Sequence, residues 1–190
     1  MTIPSRGLVL IPILAAIALA QDTPIDTQRS AITIHAGKSG LFSAAGHEHW
    51  INAPIASGTI RAGSSPHIEF TIETAAMTVK PDPKVDAKTQ AAIQKDMEQI
   101  TLDVRNYPKI TFESQRIEPS GDGWKVEGRL TLHGVSKTVN LMVRKDGSAY
   151  VSRTTLKQTD YGIKPISVGG GTVKVKDEVE LDFRIVPQGS

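Results

Sequence analysis

From Tyr107 to Gly147 the chain alternates apolar and polar side chains through three successive runs. A period of two is the mark of β-strands with one face buried, and a helix cannot use it. In the first run Ile110 and Phe112 oppose Thr111, Glu113 and Gln115. In the second, Trp124, Val126, Gly128, Leu130 and Leu132 share a face opposite Lys125, Glu127, Arg129 and Thr131. In the third, Val139, Leu141 and Val143 oppose Thr138, Asn140 and Arg144.

Turn chemistry separates the runs. Pro119-Ser120-Gly121-Asp122-Gly123 supplies residues that tolerate positive φ or bond their own backbone, which predicts a hairpin. His133-Gly134 joins the second run to the third in the same way. The three runs therefore read as an antiparallel meander.

Within this meander, Tyr107-Pro108-Lys109-Ile110-Thr111-Phe112-Glu113-Ser114 is followed by Val126-x-Gly128-x-Leu130-Thr131-Leu132-His133-Gly134-Val135-x-Lys137. This order of residues resembles the core signature of the YceI-like family. The resemblance continues at Asp160-Tyr161-Gly162-Ile163 and at Val175-x-Asp177-Glu178-Val179-Glu180-Leu181, so it covers most of the chain beyond residue 20. It implies a lipocalin-like extended β-barrel, often periplasmic, that binds polyisoprenoid or other amphiphilic lipids.

The flanking sequence extends the strand pattern. Ala31–Ala36, His47–Ile51, Gly58–Ile60 and His67–Glu73 precede the meander, the last with Ile68, Phe70 and Ile72 on one face. Ala149–Thr155, Thr172–Lys176 and the closing Val179, Leu181, Phe183, Ile185 face follow it. The expected class is all-β and antiparallel, with about eight strands in a sandwich or barrel. The resemblance favours the barrel. One helix is expected between strands, over Lys88–Gln99, with Asp86 as its N-cap. Ala92, Ile93, Met97 and Ile100 form its apolar stripe, suited to core packing or to a lid on the barrel.

The first twenty residues read as a secretory signal. Arg6 is the basic n-region, Leu8–Leu19 the apolar run, and Ala18-Leu19-Ala20 the small-x-small cleavage site. Cleavage leaves residues 21–190 as one domain of 170 residues, large enough for its own core. An apolar run this short does not comfortably span a bilayer, so no membrane span is expected after cleavage. The expected location is periplasmic or secreted. The chain has no Cys, so neither disulfides nor a lipid-bearing Cys can hold or anchor it. Its net charge of +2, without a basic cluster interleaved with aromatics, argues against nucleic acid. The sequence leaves a homodimer open.

The inward faces carry the main functional expectation. A barrel of this size is either just filled by side chains or holds one small ligand. Phe42, Phe70, Phe112, Leu130, Leu132, Leu141 and Phe183 are the candidate lining residues, with Ile34 and Val126 beside them. The small aromatic share and Gly128 on the inward face favour space within. Each enclosed CH₂ contributes about 0.8 kcal/mol, so a long alkyl or isoprenoid chain needs no polar contact to be held.

His47-Glu48-His49 is the most distinctive polar cluster. On a strand, His47 and His49 share a face and are expected to hydrogen-bond a ligand headgroup or cap the barrel mouth. The alternative is a metal-binding or redox-accessory protein in which the two bind Zn²⁺ or Cu²⁺, with His35, His67 or His133 as a third ligand. A third reading is a solid-core β interaction module. His133 itself, placed in a turn, is expected to play a structural part. No cofactor is expected, and no enzyme. Gly-x-Ser-x-Gly and His-Glu-x-x-His are absent, and no Cys nucleophile exists. The leading expectation is thus an exported barrel that encloses an isoprenoid-type lipid or another hydrophobic small molecule, for sequestration or transport.

Overall fold

The computed structural model describes residues 21–39, 48–168 and 173–190. The expected leader, Phe42, His47 and the Gly169-Gly170-Gly171 run lie outside them. The strands are β1 (Thr23–Pro24), β2 (Ala31–Ser39), β3 (His49–Pro54), β4 (Ser57–Arg61), β5 (His67–Glu73) and β6 (Thr78–Val79). They continue as β7 (Lys109–Ser120), β8 (Gly123–Leu132), β9 (Val135–Asp146), β10 (Ala149–Lys157), β11 (Ser167–Val168) and β12 (Val173–Ile185).

Eleven strands, where about eight were expected, bond in series in the order β1-β4-β5-β7-β8-β9-β10-β12-β2-β3-β6, and β11 pairs with β12 beside that path. Every pairing is antiparallel. The sheet curls into a half-barrel with the apolar faces inside. The excess has a simple origin, because β1 and β6 are two residues each and too short to show a period of two.

The meander forms as its alternation requires. Val126 pairs with both Ile117 and Leu141, and all three point inward. One irregularity interrupts β7. Ser114 faces Gly128 and Arg116 faces Glu127, so Gln115 is an extra, bulged residue. The bulge explains why the inward positions are Ile110, Phe112 and Ser114 before it but Ile117 after it. A second bulge in β12 spans Lys176 to Glu178, between pairings of Val175 with Lys38 and Val179 with Ala36.

Helix α1 (Ala87–Asp96) starts where its cap predicts. Asp86 Oδ1 accepts from the Lys88 and Thr89 amides at 3.0 Å each, and Oδ2 accepts from the Thr89 hydroxyl at 2.7 Å. The helix then loosens into a π-turn over Met97–Thr101, in which the Leu102 amide donates to the Met97 carbonyl at 2.9 Å. This changes the expected stripe. With the bonded groups five positions apart, Leu102 rather than Ile100 falls over Met97, and Leu102 is buried while Ile100 is 63% exposed. Ala92 is exposed as well, so the inward face is Ile93, Met97 and Leu102.

Candidate ligand-binding cavities

The half-barrel is not filled. Two cavities lie against its inner face, one of about 360 Å³ and one of about 420 Å³. The smaller lies toward the β4–β5 and β7–β8 hairpins, with walls of Ile117, Trp124, Val126, Leu141, Val143 and Tyr150. The larger lies under α1. Ile93 and Met97 form its cover, and Ile34, Ile51, Ile72, Leu130, Leu132 and Leu181 are among its walls. Phe70 and Phe183 line both, so they form a waist between the two chambers. Phe112 stacks on Phe70 with ring centroids 5.3 Å apart and belongs to the smaller chamber's wall.

Helix α1 reaches its place by polar contacts. None of its own side chains is fully buried. Gln94 instead clips it to β6, the last strand of the series. Its Oε1 accepts from the Val79 amide at 2.8 Å, and its Nε2 donates to the Met77 carbonyl at 2.9 Å and to Glu98 Oε1 at 2.7 Å. The sequence expectation of a lid on the barrel describes this helix.

The rim of the smaller cavity carries charge in compensated form. Arg61 Nη2 donates to Asp22 Oδ2 at 2.8 Å. Those paired charges hold Asp22 below the usual carboxylate range, with the hydrogen bond from Arg61 the largest cause, and raise Arg61 in turn. His67 Nδ1 lies 3.1 Å from Ser114 Oγ, which also accepts from the Ile68 amide at 3.0 Å. Lys38, His49, Asp96 and Lys174 supply the charged or titratable lining of the larger cavity.

The structure distributes the candidate residues between the chambers. Phe70, Phe112, Leu141 and Phe183 line the smaller; Phe70, Phe183, Leu130, Leu132 and His49 line the larger. The candidate third histidines do not gather at His49. His35 lies on the outer face, stacked on Trp50 at 4.4 Å, with Glu48 Oε2 3.2 Å from its Nε2. His67 belongs to the other cavity, and the His133 ring packs tilted against Tyr107 with centroids 4.0 Å apart. Among the described residues no three metal-ligating side chains group together. Arg61, His67 and Ser152 are lining residues that alternation did not single out, because polar side chains normally mark the outer face.

A model of the YceI-like domain matches residues 24–186. The chain belongs to the YceI-like family. Its similarity to curated relatives is local. It is 46% identical to a UPF0312 protein of Yersinia pestis (strain Pestoides F) over 46 residues, 24% of either chain. With a UPF0312 protein of Pseudomonas aeruginosa (strain LESB58) it shares 34% identity over 73 residues, 33% of this chain and 38% of the relative. The matched stretches thus span well under half of those relatives' length. In three dimensions it resembles BcnA of Burkholderia cenocepacia with a TM-score of 0.60 at 19% identity, covering 86% of this chain and 99% of that one. A polyisoprenoid binding domain from Saccharophagus degradans matches with a TM-score of 0.56 at 13% identity, covering 88% and 97%. At these identities the likeness is one of fold.

The motifs that carry the family resemblance build the barrel's scaffold. Tyr107 packs against the His133 ring and over Gly134, which turns at φ 74°. The β12 bulge puts Asp177 beside the turn at Gln158–Tyr161, where its carboxylate accepts from the Thr159 amide at 2.9 Å and hydroxyl at 2.7 Å. Gln158 Nε2 returns a bond to the Lys176 carbonyl at 2.8 Å. The Asp160-Tyr161-Gly162 and Val175-x-Asp177 motifs are therefore two halves of one anchor. Neither Tyr107, His133 nor Tyr161 lines either of these two cavities.

Proposed function

We propose that the protein is an exported carrier that encloses an isoprenoid-type lipid in the two-chambered half-barrel and acts by sequestration or transport, holding its ligand without transforming it. The observation that carries this reading is the pair of chambers walled by apolar side chains and met at Phe70 and Phe183, the larger of them covered by α1. A chain of linked isoprene units suits such walls, since burial of its CH₂ and CH₃ groups contributes without directional bonds. The fold shared with a polyisoprenoid binding domain supports the same ligand class. The leader expected over residues 1–20 supports export to the periplasm, and no described helix is long and apolar enough to cross a membrane.

The test is purification from a bacterial host followed by organic extraction and mass spectrometry, beside cell fractionation. An isoprenoid lipid at about one per chain, and a periplasmic protein beginning at Gln21, are the expected results. Repeated recovery of lipid-free protein that takes up no added polyprenol would overturn the carrier reading.

A further inference from the structure

We infer that the lipid chain enters and leaves sideways, through a seam in the barrel wall between β9 and β10. The inference rests on the carrier reading and adds to it the route by which the chambers are loaded and emptied.

The hairpin of β9 and β10 is paired only next to its turn. Asp146, Lys145, Arg144 and Val143 face Ala149, Tyr150, Val151 and Ser152, and the ladder ends there. Both strands run on. Residues 138–142 of β9 stay paired to residues 125–129 of β8, and residues 153–157 of β10 stay paired to residues 178–182 of β12. Among the described residues no strand pairing joins these two stretches to one another. They part because each follows its other neighbour. β10 follows β12 toward its bulge, where Asp177 holds Thr159, while β9 follows β8. Five residues at about 3.3 Å each make the seam about 16 Å long.

The far end of the seam is latched. Lys137 Nζ donates to Asp160 Oδ1 at 3.0 Å, across from β9 to the turn that follows β10, and both side chains are half-exposed. The outermost strands of the sheet are tied more firmly. β4 is covered by β1, beyond which Ile25 bridges to Pro187 and the Asp26 amide donates to the Val186 carbonyl at 2.8 Å. β6 is held to α1 by Gln94.

Position connects the seam to the ligand. Leu141, near one end, is a wall of the smaller chamber, and Leu156, near the other, is a wall of the larger. The seam therefore runs along the strands from chamber to chamber, beside the waist residue Phe183, which pairs with Ser152 where the ladder stops. An extended apolar chain can pass such a slot broadside and settle in both chambers together. End-on loading would instead thread its whole length past Phe70 and Phe183. The facing backbone groups of the two stretches are not bonded to each other, so widening the seam breaks no ladder hydrogen bond.

The chain has no Cys, so a thiol pair can be placed across the seam without interference. Asn140 and Thr155 are exposed and would stand opposite each other if the ladder continued. The experiment joins Asn140→Cys and Thr155→Cys with a bis-methanethiosulfonate reagent, which a thiol reductant later removes. Uptake and release of geranylgeraniol are followed by stopped-flow fluorescence of Trp124, a wall of the smaller chamber, in a Trp50→Phe background. The expected result is that both rates fall at least about tenfold while Kd stays within about twofold, since a route changes entry and exit alike. Reduction should restore the rates. The same reagent across Glu113→Cys and Arg129→Cys, an exposed pair on the intact β7–β8 ladder, should leave them within about twofold. Lys137→Ala, which opens the latch, should raise both rates about two- to fivefold, the rate equivalent of a surface ion pair. Rates unchanged by the seam cross-link, or slowed as much by the β7–β8 cross-link, overturn the lateral route and leave the carrier reading standing, as does a neutral Lys137→Ala. Failure of the parent protein to bind geranylgeraniol overturns the carrier reading and this inference with it.

Discussion

The ring of Phe112 occupies the space that a side chain at Gly128 would fill. A β-carbon built there would stand 2.3 Å from Phe112 Cζ and 2.9 Å from the Glu113 carbonyl oxygen. Gly128 therefore does not leave the barrel empty, as its inward position suggested. It lets Phe112 lie flat on β8 and stack on Phe70. Gly128→Ala is expected to cost about 1–3 kcal/mol by pushing the ring into its neighbours. Thermal unfolding by circular dichroism checks the loss, and an unchanged midpoint would mean that the ring moves freely.

Gln94 holds α1 over the larger chamber through three hydrogen bonds to β6, to the residue before it and to Glu98. Replacing it with Ala removes the acceptor of the buried Val79's amide, an expected cost of about 1–3 kcal/mol. Because α1 buries little of its own, the effect should be local. Hydrogen exchange is expected to rise across residues 87–101 and to stay constant in β7, β8 and β9. Uniform acceleration across the sheet would show the helix to be part of the core.

The Asp86 cap makes the same helix sensitive to acid. Its carboxyl is held below the ordinary aspartate value, first by the Thr89 hydroxyl and then by the Thr89 and Lys88 amides. A depressed folded-state pKa gives stability that is present above the unfolded value of about 4 and lost as pH falls through the folded value. Exchange at Lys88 and Thr89 should therefore accelerate below about pH 4 relative to the meander. Asp86→Asn, which caps without titrating, should flatten that response. If Asp86→Asn shows the same acid response, the cap is not its source.

Much of this architecture is written in the alternation itself. The runs around Phe112, Val126 and Leu141 gave three strands, their faces and their turns, because a single register satisfies all of them. Features that break periodicity were not legible. Gln115 sits between polar neighbours, so nothing in the sequence marks it as the extra residue of a bulge. Ile100 stands at α-helical spacing from Met97, and only the π-turn turns it to solvent. The site was legible as far as its greasy walls reach. The waist at Phe70 and Phe183 depends on strands far apart in sequence, and Ser152 looks like any surface serine until β10 is placed between β9 and β12.

Ala36 distinguishes a hollow barrel from a solid one. It lies on β2 opposite His49 and Val179 and lines the larger chamber. In a filled core, Ala36→Phe would force the added ring against packed neighbours, with a cost of about 1–3 kcal/mol and a corresponding fall in Tm. In a hollow chamber the ring enters free volume and makes new apolar contacts. The expected outcome is a Tm within about 4 °C of the parent, with the co-purifying lipid reduced at least fivefold by mass spectrometry. A large fall in Tm with no lipid to lose in either protein would instead favour a solid-core interaction module. The two measurements are needed together, since lipid loss through unfolding and lipid loss through filling differ only in whether the fold survives.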